Sequence, residues 1–506
     1  MAMAENRSAC VFGNPIPERD QAKARKAKER FARKFGDDAD RPCHLVARDA
    51  PAIHRALGVR LLAPAPAGAG ALDLAADARA LPAPPATPRT DPAAAGAPVV
   101  IGTIRMGFGH YRIGMALASA AHALGYTPYW MDLCGFPDTT CTKIIAHQNE
   151  LYSKGSRLSQ KCAPFNKLVW EPLNSEGFRK LSYNASDQAV SELMVAPFAD
   201  LPREVPFVGA HAWCAQAALH AGLSHVVCAI PDNWPMALHL AEGARHTVQT
   251  PSAYAGYKML RGMDPKRALA PMPEGSLFYT GHYVDHELVA AIDGDCSRRE
   301  ARAEAGKPVR YLLSVGGAGA QLDLFERIIA HLVPRIEADE AVLFVNVGDH
   351  DRVWQGLKER IPQLDEAVVH AEDFEGTARF ADEALNGDVS GVHAFYDSDI
   401  FSAVYSTNLL MRASDLLITK PSELSFYPVP KLMIQREGGH EAWGAVRAAE
   451  VGDGTYEMDD PREICAFIDC VQEDRSTVVD MCAHIRTARD AGIYDGAYRT
   501  VELAAR

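Results

Sequence analysis

No stretch of the 506 residues holds the roughly 18 consecutive apolar side chains that a membrane-crossing helix needs. The first residues, "MAMAENRSACVFG", lack the apolar core of a signal peptide. The 11 cysteines are odd in number and include no CxxC pair, which argues against a disulfide framework or a zinc site and suits a reducing, cytoplasmic setting. Positive charge is scarce: 52 Lys and Arg face 65 Asp and Glu, for a formal net charge of −13. A general nucleic-acid binder carries the opposite balance. There is no GxSxG, no P-loop, and no GxGxxG followed by a ribose-binding acid, so a nicotinamide or flavin cofactor is not expected.

The composition itself is ordinary, with 48% hydrophobic and 23% charged residues. The length fits two or three domains. Residues 18 to 36 read as a short basic helix. Residues 62 to 98 hold eight prolines among many alanines and read as a linker or loosely ordered arm, so a folded body is expected from near Pro98. From there strands and helices alternate. "PVVIGTI", "TPYWMDL", "VPFVGAH", "HVVCAIPD" and "HTVQTPS" read as strands, with "RIGMALASAAHALG" and "WCAQAALHAG" as helices between them. The pattern restarts with "RYLLSVGGAGAQ", "AVLFVNVGD", "DLLITKPSE" and "KLMIQREGG". The fold class is therefore α/β, with two Rossmann-like doubly wound parallel-sheet domains and an N-terminal arm. The expected divisions are 1–97, 98–285, 286–480 and a C-terminal helix over 481–506, which is expected to pack back on the first domain. A hinge is expected near 281–308.

In such sheets ligands bind beyond the carboxyl ends of the strands. After the first strand stand Gly107, Phe108, Gly109 and His110, where glycines allow close backbone approach and the next helix offers free N–H groups. After "VVCAI" stands Asp232, placed as a general base or acceptor clamp, or as a simple helix cap. Gly316, Gly317 and Gly319, ahead of Gln321, form the better anion cradle. Gly348, Asp349 and His350 form a weaker one. After "DLLIT" come Lys420 and Pro421, which fits a first helical turn capped by Thr419 or Ser422. Glu423 then suits a ribose diol. Gly439, His440 and Glu441 follow the next strand. Asp397 and Asp399 form a DxD triplet, but another stands at 293–295, and no metal site is expected.

Taken in order, these motifs resemble the two-domain glycosyltransferases of the GT-B fold that include monogalactosyldiacylglycerol synthases and the peptidoglycan N-acetylglucosaminyltransferase. "GFGHYRIGMALASA" is similar to the family's glycine-rich loop and helix. "VVCAIPD", "YTGHYVDHEL", "LLSVGGAGAQ", "ASDLLITKPSE" and "GGHEAWGAVRA" follow in the family's order over roughly 98 to 455. The resemblance implies two domains facing a central cleft and a nucleotide-sugar donor, UDP-linked, as co-substrate with no obligatory cofactor. It implies inverting transfer to an acceptor hydroxyl, with His110 or Asp232 as base or clamp. Gly317 and Gly319 would face the diphosphate, Glu423 the ribose, and His440 and Glu441 the sugar or phosphate. An epimerase or hydrolase of the same fold, or a non-catalytic nucleotide-sugar binder, is the alternative.

The sequence departs from the family between "ITK" and the next strand, where only "PSELSFYPV" intervenes and Pro428 limits any helix to about two turns. Residues 371 to 405 read as an insertion, a lid or a partner surface. Residues 139 to 180 hold seven Lys and Arg against three Glu, a basic patch with aromatics. Lipid-handling relatives place an equivalent region near the membrane, which implies a lipid among the candidate acceptors and a peripheral position at the inner face of the membrane.

Overall fold

The computed structural model describes residues 6–50, 57–81, 95–170, 172–317 and 319–506. They form two compact units. The first comprises residues 1–106, 113–285 and 495–506. The second comprises 286–494 and takes in the short segment Gly107–Arg112.

The first unit opens with a hairpin of β1 (Cys10–Val11) and β2 (Asn14–Pro15), followed by a helix over Glu18–Phe35. Among the described residues its sheet has eight strands: β3 (Leu45–Asp49), β4 (Arg60–Pro64), β5 (Pro98–Thr103), β6 (Thr127–Asp132), β7 (Phe207–Gly209), β8 (Val226–Ala229), β9 (Arg245–Val248) and β10 (Leu277–Tyr279). The spatial order is β10-β9-β8-β7-β5-β6-β4-β3. Every pairing is parallel except that of β3 with β4. Strands such as "VVI" and "VVCA" are apolar on both faces because helices cover both.

The folded body starts well before Pro98, contrary to the composition. The Glu18–Phe35 helix buries Ala24 and Phe31 and packs on the helix Leu181–Ser191, with Lys28 paired to Glu192 at 2.5 Å. Val11, Phe12 and Ile16 join the core that holds Ile230 and Tyr257. β4 extends the sheet beside β6, with Arg60 opposite Tyr129. Arg60 at its start and the Ala and Pro at its end hide it from a hydrophobic-period reading. Residues 82–94 of the expected linker lie outside the described residues.

The C-terminal helix, Gly496–Ala505, is also in the first unit. The N–H of Gly496 donates to the carbonyl of His282 (3.0 Å), Arg499 to that of Thr280 (3.0 Å), and Thr500 meets Thr247 (3.1 Å).

The second unit holds β11 (Val309–Ser314), β12 (Ala341–Asn346), β13 (Val368–Ala371), β14 (Gly391–Tyr396), β15 (Leu416–Thr419) and β16 (Lys431–Met433). All pairings are parallel, in the order β13-β14-β12-β11-β15-β16. Residues 371–405 are not an insertion. They supply the helix Phe374–Asn386, strand β14 between β12 and β13, and the start of the helix Ile400–Ala413. The histidine in "GVHAFY" and the polar residues before it disguise a strand whose His393 is packed against Phe380 and Phe344. The chain order reverses between β11 and β15, since β12 lies on one side of β11 and β15 on the other. That switch point is where a ligand crevice opens in such sheets.

Candidate functional site

At the switch point of the second unit several glycines are forced by contact. A Cβ on Gly316 would stand 2.7 Å from the Lys420 side chain, one on Gly317 2.6 Å from the Phe108 backbone nitrogen, and one on Gly319 2.9 Å from the His350 ring. One on Gly348 would stand 2.6 Å from the Phe108 ring. The exits of β11, β12 and β15 and the segment Gly107–Arg112 thus meet in one place. Gly319 (φ 62°) and Gln321 (φ 69°) are both left-handed. Such alternation turns successive backbone N–H groups toward one concave side, which suits an anion. Gln321 ends this turn and opens the helix Leu322–Glu337, while its amide donates to the carbonyl of Gln435 after β16. Ala318 lies outside the described residues.

Lys420 is nearly buried and pairs with Glu441 and, at 3.4 Å, with Glu437. Glu441 also accepts from the backbone N–H of Glu437 (2.7 Å) and of Gly438 (3.2 Å). The β15 and β16 exits are therefore tied by one cation between two carboxylates. Gly439 and His440 belong to the same short turn, Gly439–Glu441, and the buried Nδ1 of His440 has no hydrogen-bond partner among the described residues.

The 420s differ in detail from the sequence expectation. Pro421 opens no helix. A single turn starts at Glu423 and ends at Phe426, and the Ser422 side chain caps nothing. Thr419 is buried at the end of β15, where its hydroxyl meets the Lys420 carbonyl at 3.4 Å. The Glu423 carboxylate rests against Gly109, the first residue of the helix that begins there. A helix N-terminus is a favourable seat for a carboxylate. Gly107 has φ 73°, and His110 is half-buried in the same segment.

Sequence reasoning missed two members of this cluster. Glu437 stands just before the noticed "GGHE". Arg112 is buried, donating to Asn408 (2.9 Å) and Thr407 (3.3 Å), with its guanidinium 5.7 Å from the centre of the Tyr427 ring. Thr407 in turn accepts from Asn346 (2.9 Å), whose side chain accepts from the Gly348 N–H (2.8 Å). A lone Arg inside an apolar helix was the available signal.

Asp232 is in the first unit, just past β8, and about a quarter of its side chain is exposed. His239 lies behind it, with Nε2 3.1 Å from its Oδ2. The other ring nitrogen is 2.7 Å from the Tyr257 hydroxyl. Tyr257 is fully buried, and burial, then the Asp232 charge, holds its hydroxyl well above the ordinary tyrosine range. Asn233 accepts from Thr250 (2.7 Å), fixing the strand exit. Arg179 lies 4.5 Å over the Trp234 ring. The strand exit thus holds Asp232 toward solvent with a His and a Tyr buried behind it.

Asp399 of the DxD triplet caps the helix Ile400–Ala413 by accepting from Ser402 (2.9 Å). The 139–180 patch forms the helix Thr140–Lys161 and the turns after it. Trp170 is buried near Tyr152, while Leu151, Leu158, Leu168, Val169 and Leu173 stand exposed among Lys154 and Lys167. No helix among the described residues is long and apolar enough to cross a membrane.

Among solved structures, the chain is similar to UDP-GlcNAc 2-epimerase from Neisseria meningitidis bound to UDP-GlcNAc, at 11% identity and a TM-score of 0.37, covering 80% of this chain and 98% of that one. It is similar to a glycosyltransferase from Rickettsia africae at 11% identity and a TM-score of 0.34, covering 80% and 95%. Likeness of this degree decides nothing about activity. No curated protein matches the chain. Two family models do match, and they divide it between them: residues 10–259 fit a domain of unknown function, DUF6937, and residues 272–505 fit a second, DUF6938.

Proposed function

We propose that the chain binds a nucleotide-diphosphate sugar, UDP-linked, at the strand exits of its second unit and transfers the sugar to an acceptor hydroxyl with inversion. The observation that carries this is the convergence of glycine-bound exits and Lys420 at the switch point of a Rossmann-like sheet. Backbone N–H groups of Gly316, Gly317, Ala320 and Gln321, with the helix dipole behind them, would receive the diphosphate and stabilise it as it leaves, while the Gly319 N–H closes the turn onto the Gly316 carbonyl (2.9 Å). The acceptor oxygen would attack the anomeric carbon as the bond to the diphosphate breaks. Its proton would pass to Asp232, which His239 orients, or to His110. No metal is part of this reading.

Glu423 is not given the ribose, because its carboxylate is engaged at Gly109. Lys420 reaches a diphosphate only by loosening Glu437 or Glu441. That pair of acids favours a second reading, an epimerase or hydrolase acting on the same class of sugar nucleotide.

A lipid-borne acceptor, met at the cytoplasmic face of a membrane, belongs to the first reading. Its support is the run of exposed leucines beside Lys154 and Lys167. Sedimentation with anionic liposomes that weakens with salt is the expected behaviour.

The deciding experiment is a thermal-shift panel of nucleoside diphosphates and their sugars, followed by product analysis. A true donor stabilises the fold by mass action. Transfer releases UDP only with an acceptor, hydrolysis releases UDP and free sugar without one, and epimerisation releases no UDP. A shift with no turnover makes the chain a sensor, and no shift with any nucleotide rejects every nucleotide reading. Asp232→Asn should lower transfer by about 10²- to 10⁴-fold and leave the donor-induced shift intact. Loss of the shift with transfer retained would overturn its assignment.

A further inference from the structure

The second unit has a cleft of about 360 Å³ at the amino-terminal edge of its sheet, the edge opposite the strand exits described above. Arg310 lies at the start of β11, Asp415 just before β15, and Gly387 and Asp388 just before β14. Six cations line it: Arg298, Arg299, Arg302, Lys307, Arg310 and Arg412. Among the described residues two carboxylates do, Asp388 and Asp415. Asp295 stands behind, paired with Arg298 and, at 3.2 Å, with Arg412. In a chain of net charge −13 this is a marked local reversal.

Part of the charge serves the fold. Helices end here, and buried guanidinium groups cap their last carbonyls. Arg299 donates to Ser414 (2.9 Å) and Met411 (2.8 Å), and Arg310 to Ala384 and to Gly387 (2.6 Å). Asp415 is occupied by Arg302 (3.2 Å) and the Arg310 N–H (2.9 Å), and Asp388 by Lys307 (2.6 Å). Capping leaves a remainder. Nη1 of Arg299, Nε of Arg310 and Nε of Arg298 are buried with no acceptor among the described residues. The first two belong to side chains buried to at least nine-tenths. Guanidinium groups do not escape by losing a proton, so such N–H groups call for an acceptor from outside. Among the described residues the rim cations Arg298, Lys307 and Arg412 meet carboxylates and no carbonyl. Burial, reinforced by the Arg302 charge and opposed by Asp415 and Asp388, brings Arg310 down to about 10.

We propose that this cleft is a second ligand site, specific for a small phosphate or diphosphate compound held by charge-assisted hydrogen bonds from Arg298, Arg299, Arg310 and Lys307. The volume suits a ligand of that size rather than a polymer. The site is independent of the sugar-nucleotide reading.

The probes are inorganic pyrophosphate and phosphate, titrated into the full chain against sodium chloride of equal ionic strength. Saturable binding is expected, stronger for pyrophosphate. The double variant Arg298→Gln/Lys307→Gln, which changes two half-exposed rim residues, should weaken it about tenfold or more. Arg462→Gln, a fully exposed cation elsewhere on the unit, should not. Amide exchange slowed by pyrophosphate at residues 319–321 but not at 298–310 would place the anion at the strand exits and overturn the proposal. So would an effect no greater than that of chloride. Should the double variant fold poorly, amide exchange in the native chain decides: pyrophosphate should slow it at residues 298–310, and unchanged exchange there rejects the site.

Discussion

Each unit buries a carboxylate deep in its interior, and the two are held in opposite ways. In the first, Asp187 sits on the helix Leu181–Ser191 with no cation beside it, and one of its oxygens has no partner among the described residues. Burial pushes its carboxyl up to about 8, with the Trp213 indole pulling the other way. In the second, Asp453 meets Lys431 at 2.6 Å and accepts from Tyr494 at 2.8 Å. Burial still raises Asp453 and lowers Lys431, but their attraction opposes both shifts. In the first unit the burial of the acid goes without a counter-ion among the described residues; in the second a buried lysine offsets it.

The largest test of this contrast is Lys431→Met. It strands a buried carboxylate and should cost about 3–5 kcal/mol in a denaturant melt, whereas removing both charges with Asp453→Leu added should recover most of that. An equal cost for single and double variants would show that packing, not charge, dominates.

Asp187→Asn tests the other side through pH. The folded-state pKa is raised, so the proton held by Asp187 contributes stability fully below the unfolded value of about 4. That contribution is lost as the pH rises toward about 8, at up to about 1.4 kcal/mol per pH unit. The Asn variant should lack this decline, so it gains on the native chain through that window. Parallel stability curves would mean that Asp187 is ionised in the fold.

Smaller effects concern the surfaces. Gly319→Ala forces a side chain onto left-handed backbone beside His350 and should cost about 1–3 kcal/mol, with any UDP-induced shift reduced. Leu168→Asp, at the most exposed apolar position, should change stability by less than about 0.5 kcal/mol while abolishing liposome sedimentation.

The central strands were legible because "PVVIGT" and "VRYLLS" are apolar on both faces, which only a covered parallel sheet explains. The edges were not. β3 ends in Arg48 and Asp49, β4 starts at Arg60, and both border alanine- and proline-rich sequence, so their place in the sheet comes from the pairing of β4 with β6, some seventy residues on. The glycine turns and Lys420 were visible as residue types. Their arrangement was not, because Lys420 finds Glu441 after 21 intervening steps and Gly317 meets Phe108 across some two hundred. His239 and Tyr257 gave no local sign of standing behind Asp232, since only the turn after β8 brings them there.

The return of Gly496–Ala505 to the first unit carries a consequence for synthesis. Thr500 meets Thr247, 253 residues earlier. While the chain is being made, the first unit lacks Ala497, Tyr498 and Val501, and the part of its sheet that this helix covers stays open until residues near 500 leave the ribosome. The whole second unit has to be synthesised in the meantime. A nonsense change within that helix would therefore damage the part of the molecule translated first.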